Sequence, residues 1–160
     1  MKAGFLKAML LVAIMAVTGV AKAADFTIRA TANSNENDED YDGLVVFKNY
    51  VESASNGAIA VELFIGTQLC SKGAECLQGV ADGSIDVYIS TSGGAAGIFP
   101  YVQVLDLPYL MADDRVAEHV LSGDFTRTMR AMALEDSGDK IRLMTIGNTG
   151  GWRNSVSYTH

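Results

Sequence analysis

Three apolar, strand-like runs alternate with two helix-like segments in the first part of the chain, and this order constrains the fold more than any other feature. The runs cover residues 25–31, 58–65 and 85–90, and the helices are expected over 41–54 and after Ser71. Strand, helix, strand, helix, strand at this spacing makes two overlapping βαβ units, which predict a parallel sheet with right-handed crossovers. The predicted fold class is therefore α/β, with an open, mostly parallel sheet flanked by helices.

Both helices are amphipathic, because their apolar residues recur every three or four positions. In the first helix Leu44, Phe47 and Val51 share one face. The acidic residues before it suit the positive end of the helix dipole, and they lack the glycine and the terminal glutamate of a calcium-binding loop. The second helix is expected to begin at a Ser71 cap and to end at Gly83. Its expected core-facing residues are Ala74, Leu77, Val80 and Ala81.

Residues 91–97 are small and glycine-rich, which predicts a flexible loop. Because it matches neither the Walker pattern nor the G-x-G-x-x-G spacing, it is either a loop that approaches a ligand or a plain connector. Two helices and a fourth strand are expected after it: a helix capped by Asp113 or Asp114 that ends at Leu121, a helix over 125–134 with Met129, Met132 and Ala133 on one side, and a strand over 141–146.

Residues 1–23 have the pattern of a secretory signal peptide. Lys2 and Lys7 precede an apolar run over 8–17, and small residues lead up to a cleavage position after Ala23. The run is shorter than the ~20 residues of a membrane-spanning helix. We therefore expect a secreted protein that is not inserted in the membrane after cleavage.

The charge of the remaining chain excludes two kinds of partner. Three of the 12 basic residues and none of the 19 acidic residues lie in the signal, so nine basic residues against 19 acidic ones give a formal charge of −10. An acidic surface repels nucleic acid and anionic lipid. Neither is an expected partner, and an anionic ligand would need a local cationic or amide-lined site.

Two cysteines, Cys70 and Cys76, lie close together in sequence, around the start of the second helix. In an oxidising compartment this spacing favours a disulfide. A zinc site would need about two further ligands, and the two histidines, His119 and His160, are distant in sequence. A redox-active pair and two free thiols remain the alternatives.

Fold geometry indicates where a ligand would bind. In an open parallel sheet, ligands lie beyond the carboxyl ends of the strands, and here those ends are 33–37, 90–94 and 148–153. The polar residues at these strand ends could instead be ordinary loop residues. The tryptophan could serve only in packing, and the arginine could form a salt bridge. The candidate substrate-binding residues are Asn35, Glu36, Asn37, Ser90, Thr91, Ser92, Asn148, Trp152 and Arg153.

Six short motifs occur in a characteristic order across nearly the whole chain after the signal. They are FKNYVE (47–52), SNG (55–57), IGTQL (65–69), GSIDV (83–87), VLDLPYL (104–110) and GWR (151–153). Their order and spacing resemble the DctP-type substrate-binding proteins of tripartite ATP-independent periplasmic (TRAP) transporters.

The resemblance implies a periplasmic receptor that captures a small organic acid, often a carboxylate, and passes it to membrane permease subunits driven by an ion gradient. It implies no enzymatic activity and no cofactor. Such receptors close two α/β lobes of a type II-like periplasmic-binding-protein fold on the ligand. Family members are much longer than this chain, so residues 24–160 are expected to be a first lobe without its second, and Arg153 matches the second family arginine.

Three other hypotheses about function are open. The lobe could be a periplasmic ligand-sensing or interaction module, or it could be an inactive fragment with weak or no ligand binding on its own. A hydrolase triad of Ser92, His119 and an aspartate is disfavoured, because the chain has no G-x-S-x-G elbow.

Overall fold

The computed structural model describes residues 23–148, and a three-stranded parallel sheet lies at its centre. Residues 1–22 of the predicted signal peptide, Trp152 and Arg153 lie outside the described residues. The first five elements are β1 (Phe26–Ala32), α1 (Glu39–Ala54), β2 (Ile59–Ile65), α2 (Gly73–Asp82) and β3 (Val87–Ile89). They are followed by α3 (Ser92–Ala95), a 3₁₀ helix (Pro100–Asp106), α4 (Asp114–Leu121) and α5 (Asp124–Asp136).

The strand order is β2-β1-β3, and both pairings are parallel, which confirms the predicted fold class. Phe26 pairs with Ile59 at one end of the sheet, and Ala32 pairs with both Ile65 and Ile89 at the other. As the central strand, β1 is the most deeply buried, and its last three residues, 30–32, are fully inaccessible. The hydroxyl of Thr31, the polar member of that trio, donates to the carbonyl of Phe64 at 2.6 Å, so its burial leaves no unpaired donor.

Helix α1 packs on the sheet through the face that the sequence predicts. Leu44 is 1% exposed and forms a cluster with Ala30, Ala32 and Val61, and Phe47 and Val51 pack against this cluster. Two polar side chains of the same helix fasten it to β2. Lys48 Nζ donates to the carbonyl of Val61, and the Glu52 carboxylate accepts from the backbone N–H of Val61.

A second apolar cluster lies in the later part of the chain, between the 3₁₀ helix and α5. Phe99 and Val102 meet Met129 and Ala133 there, with Met132 at the margin, so the predicted apolar side of α5 is confirmed. The expected cap of α4 is also confirmed, since Asp113 accepts hydrogen bonds from two backbone N–H groups of its first turn.

Cys70 and Cys76 form the expected disulfide, with Cα atoms 5.2 Å apart. The predicted cap of α2, however, is wrong. Lys72 occupies the N-cap position, and the Ser71 hydroxyl and backbone N–H both donate to the carboxylate of Glu75 at 2.8 Å. The acceptor at this helix end is therefore a glutamate that reaches back from the first turn.

The predicted core face of α2 is confirmed in part, since Val80 packs against the buried residues Cys70, Cys76 and Ile85. Cys76 and Gly79 are the buried residues of the helix, while Ala74 is exposed. Cys76 is bonded to Cys70, and both cysteines are buried. A Cβ atom on Gly79 would lie 2.8 Å from Cδ1 of Ile85, so a larger residue at this position would require the Ile85 side chain to shift.

Two further expectations about local structure are wrong. Residues 92–95 form the single-turn helix α3 instead of a flexible loop, because Thr91 Oγ1 accepts from the N–H of Gly94 and starts the turn. Residues 141–146 form no strand. Leu143 and Ile146 pack against the cluster of Phe99 and Val102, away from the sheet, where a strand would find no pairing partner.

Candidate functional site

A cleft of about 390 Å³ opens at the carboxyl ends of β1 and β3. This is the position where the strand order favours ligand binding, because the chain leaves the central strand in one direction and the edge strand in another. The loops after both strands and the first turns of three helices surround the cleft. Its described lining residues are Asn33, Ser34, Asp40, Ser71, Gly73, Tyr88, Ile89, Thr91 and Gly94.

A hydrogen-bond network anchored on Asn33 organises one side of the cleft. Its Nδ2 donates to the carbonyl of Cys70 at 3.1 Å, and its Oδ1 accepts from the Tyr88 hydroxyl at 2.5 Å. The Sγ atom of Cys76 lies 3.4 Å from the same Oδ1, but this is a packing contact, because a disulfide sulfur carries no hydrogen. Asn33 therefore joins the end of β1 to the disulfide loop and to β3.

The carboxyl group of Asp40 gives the cleft its electrostatic character. Burial raises the pKa of Asp40, and the neighbouring charges of Asp38 and Glu39 raise it further. Burial also raises the pKa of the Tyr88 hydroxyl, with a smaller contribution from the charge of Asp40. Additional negative charge is therefore unfavourable at this end of the cleft.

One hydroxyl in the cleft is buried without a hydrogen bond. Ser34 Oγ lies close enough to the Asp40 carboxylate to offset part of the pKa increase, yet it does not reach hydrogen-bonding geometry with any described atom. An orphaned buried hydroxyl is uncommon, because each one loses its hydration without a replacement. Ser34 Oγ is thus an unsatisfied polar atom in the cleft wall.

Three helix N-termini face the cleft, and each carries an acidic or hydroxyl side chain at or near its first turn. Glu75 accepts two hydrogen bonds at the start of α2, and Thr91 caps α3. Asp38 precedes α1, whose first turn carries Glu39, Asp40 and Asp42. Helix N-termini attract anions in general, but at α1 and α2 the acidic side chains of the first turn oppose a further negative charge, and at α3 Thr91 already caps the turn.

The predicted residues 35–37 form a tight polar turn next to the cleft. Asn35 donates twice to Asp38, through its backbone N–H at 2.9 Å and its Nδ2 at 2.8 Å, and its Oδ1 accepts from the N–H of Asn37. Glu36 is exposed between them. The hydrogen bonds of this turn position Asp38, while the adjacent Asn33 and Ser34 line the cleft.

Of the predicted residues after β3, Thr91 lines the cleft. The hydroxyl of Ser90 donates to the carbonyl of Thr91, and that of Ser92 donates to Asp106 at 2.7 Å. Asn148 is exposed in a segment without regular secondary structure. The structure thus brings one predicted residue, Thr91, into the cleft wall and places Ser90 next to it.

Three polar residues of the cleft wall, Asn33, Asp40 and Tyr88, are not among the predicted substrate-binding residues, although Asn33 lies in the predicted strand end 33–37. Asn33 directly follows the last residue of β1, and this position was a usable signal. Tyr88 lies between the apolar residues Val87 and Ile89 and carries a hydroxyl group. Because side chains alternate along a strand, Tyr88 is on the opposite face from these two neighbours. No local pattern distinguishes Asp40 from the acidic residues around it.

Two features of residues 23–148 concern metal sites and membrane-spanning segments. In this part of the chain, no group of three or more histidine, cysteine, aspartate or glutamate side chains could hold a metal ion. Among its helices, none is sufficiently long and apolar to cross a bilayer.

Comparison with known proteins identifies relatives of this chain. The bacterial extracellular solute-binding protein family 7, DctP, matches residues 30–158. The 2,3-diketo-L-gulonate-binding periplasmic protein YiaO of Escherichia coli is 26% identical over 145 residues, which make up 91% of this chain and 43% of that protein. The chain therefore spans less than half the length of this relative.

Solved structures with the same fold are TRAP periplasmic solute-binding proteins. The protein from Ochrobactrum anthropi matches with a TM-score of 0.65 at 26% identity, over 73% of this chain and 36% of that one. The protein from Roseobacter denitrificans with bound L-galactonate matches with a TM-score of 0.66 at 22% identity, over 72% and 38%. The protein from Sulfurospirillum deleyianum with bound succinate has a TM-score of 0.64 at 22% identity, over 70% and 36%. At 22% identity these likenesses establish the fold alone.

Proposed function

The chain belongs to the bacterial extracellular solute-binding protein family 7, DctP, and we propose that it forms the first lobe of a periplasmic receptor that captures a small organic acid for a TRAP transporter. The relatives are solute-binding proteins, not enzymes. In this account the receptor passes its ligand to membrane permease subunits that use an ion gradient, and it needs no cofactor.

The observation that carries the proposal is the position and chemistry of the cleft. It lies at the carboxyl ends of two parallel strands and is lined by hydroxyl, amide and carboxyl groups. Small-molecule sites combine such a concave position with a few convergent polar groups. Relatives of the same fold hold succinate and L-galactonate, so acids of this size are the natural candidates.

The cleft as described supplies one wall of a binding site. None of its described lining residues is cationic, so the positive charge that balances an acid must come from elsewhere. Arg153, outside the described residues, is our candidate for this role, with Trp152 beside it. A ligand held on one wall keeps much of its surface in water, and we expect the chain alone to bind acids more weakly than micromolar.

Ligand-observed NMR with the full chain tests this function. Magnetisation transfer should reach organic acids such as L-galactonate, galacturonate and succinate, and galactose should serve as the neutral control. Calorimetry then bounds the affinity. Transfer to none of the acids at millimolar concentration would contradict the receptor function, and a micromolar or tighter dissociation constant would contradict the one-wall account.

A further inference from the structure

The described wall of the cleft offers oxygen atoms and no cation. Three aliphatic hydroxyls, a phenol, an amide and a carboxyl group converge on it, and they belong to Ser34, Ser71, Thr91, Tyr88, Asn33 and Asp40. Lys72 lies in sequence between two lining residues, but it is exposed and its charge acts on Glu75. A ligand carboxylate against this wall would lose hydration without gaining an ion pair.

The helix starts around the cleft carry polar or acidic side chains of their own. At the start of α2, Glu75 accepts from the Ser71 N–H and hydroxyl, and at α3 the Thr91 side chain takes the Gly94 N–H. The first turn of α1 adds negative charge from its own acidic residues. A second anion at the starts of α1 and α2 would meet like charges.

Ligand hydroxyl groups suit the same surface well. The Asp40 carboxylate accepts hydrogen bonds from O–H donors, and such charge-assisted bonds are stronger than neutral ones. Ser34 Oγ is buried and without a partner among the described atoms, so a ligand hydroxyl would satisfy it. The Asn33 amide and the Tyr88 hydroxyl hold each other in place beside these groups.

From these contacts we propose that this wall recognises the hydroxyl groups of a monocarboxylic polyhydroxy acid, an aldonate or a uronate, and rejects a dicarboxylate. The inference rests on the proposed receptor function and narrows its substrate class. The single carboxylate of the ligand points away from this wall, and the chain of hydroxyls lies along Ser34 and Asp40. Asp40 is then the specificity-determining residue.

Three acids separate the effect of a second carboxylate on binding from the effect of the hydroxyl groups. Galactonate and galactarate share a six-carbon skeleton and the four internal hydroxyls, and they differ in that galactarate carries a second carboxylate in place of the terminal alcohol. Hexanoate keeps the single carboxylate and lacks the hydroxyls. Dissociation constants of the full chain for the three acids come from amide chemical-shift titrations.

We expect galactonate to bind at least roughly tenfold more tightly than galactarate or hexanoate, because like charges and unsatisfied polar groups both oppose the weaker ligands. In Asp40→Asn, which keeps an oxygen acceptor and removes the charge, the preference for galactonate over galactarate should fall to about threefold or less. Asp42→Asn removes a charge from the same helix turn outside the cleft and should keep the wild-type ratio. Circular dichroism confirms that both variants fold.

Galactarate binding as tightly as galactonate, or an unchanged ratio in Asp40→Asn, would overturn the inference and leave the receptor function standing. Hexanoate binding as tightly as galactonate would overturn the role of the hydroxyls in the same way. If none of the three acids, nor any other organic acid, shifts a cleft amide, the receptor function itself fails and the inference fails with it. These two failures are therefore distinguishable.

Discussion

The hydroxyl of Tyr88 donates a 2.5 Å hydrogen bond to Oδ1 of Asn33, and this contact joins two parallel strands at the mouth of the cleft. The two residues are 55 positions apart in sequence. Asn33 in turn donates to the carbonyl of Cys70, so one asparagine connects the central strand, the edge strand and the disulfide loop. The geometry of the cleft wall depends on this connection.

Removing the Tyr88 hydroxyl should weaken that wall. We expect Tyr88→Phe to lower the free energy of unfolding by about 1 kcal/mol. The substitution deletes one hydrogen bond, and the Asn33 oxygen loses the donor that offsets its desolvation. Urea unfolding followed by circular dichroism measures the difference. Tyr101→Phe is the matched control, since Tyr101 is half exposed and its edge contact with Phe99 survives the change. Equal stability losses in the two variants would contradict a structural role of the Tyr88 hydroxyl.

The disulfide should stabilise the fold by closing a short loop. Cys70 and Cys76 are six positions apart, and the loop-entropy relation gives about 2 kcal/mol for a ring of this size. We expect a reductant to lower the free energy of unfolding of the native chain by that amount. The double variant Cys70→Ala/Cys76→Ala should not respond to reductant. A native chain whose urea midpoint is the same with and without reductant would refute this prediction.

The backbones of Gly73 in α2 and Gly94 in α3 are in close contact, and a methyl group added to Gly73 should push them apart. A Cβ atom on Gly73 would lie 2.7 Å from the Cα atom of Gly94, which neither backbone can accommodate without moving. We expect Gly73→Ala to cost about 1–3 kcal/mol of stability. Gly93→Ala is the control, because a Cβ atom there meets nothing within 4 Å. Thermal unfolding of both variants provides the measurement, and a neutral Gly73→Ala would show that the two helices do not pack this closely.

The carboxyl group of Asp40 should make stability depend on pH in a defined direction. Burial and the charges of Asp38 and Glu39 raise its pKa in the folded chain above the ordinary 3.8. The folded state therefore binds this proton more tightly than the unfolded state, and its stability falls as the pH rises from 3.8 through the raised value. Asp40→Asn should be more stable than the native chain at neutral pH.

The advantage of Asp40→Asn should disappear as the pH falls below 3.8, where the aspartate is protonated in both states. Urea unfolding across this pH range tests the sign, and Asp42→Asn serves as the control for net charge. An advantage that grows toward acid pH would mean that the folded state lowers the pKa of Asp40.

Local patterns in the sequence were sufficient for the sheet and its main helices. The period-two run at 59–65 and the helical spacing of Leu44, Phe47 and Val51 depend on neighbouring residues, and both match the structure. The strand expected over 141–146 has a comparable pattern but packs on a helical cluster. Alternating apolar residues do not specify which surface of the protein they pack against.

The cleft was harder to predict, because its contacts are distant in sequence. Parallel topology placed the site at the ends of β1 and β3, and Thr91 was identified on that basis. The partners of Asn33 depend on how β3 and the disulfide loop meet it in space. Glu75 reaches back to Ser71 across four residues, a reversal of the expected cap that only the side-chain geometry reveals.

The central claim, that the cleft between β1 and β3 holds an organic acid, is tested most directly by amide chemical shifts of the full ¹⁵N-labelled chain during titration with L-galactonate. Our account predicts saturable shifts concentrated at Asn33, Ser34, Thr91 and Gly94, and none of comparable size with galactose. Shifts located instead on the exposed residues Tyr101 and Leu107, or no saturable shift with any acid tested, would contradict it.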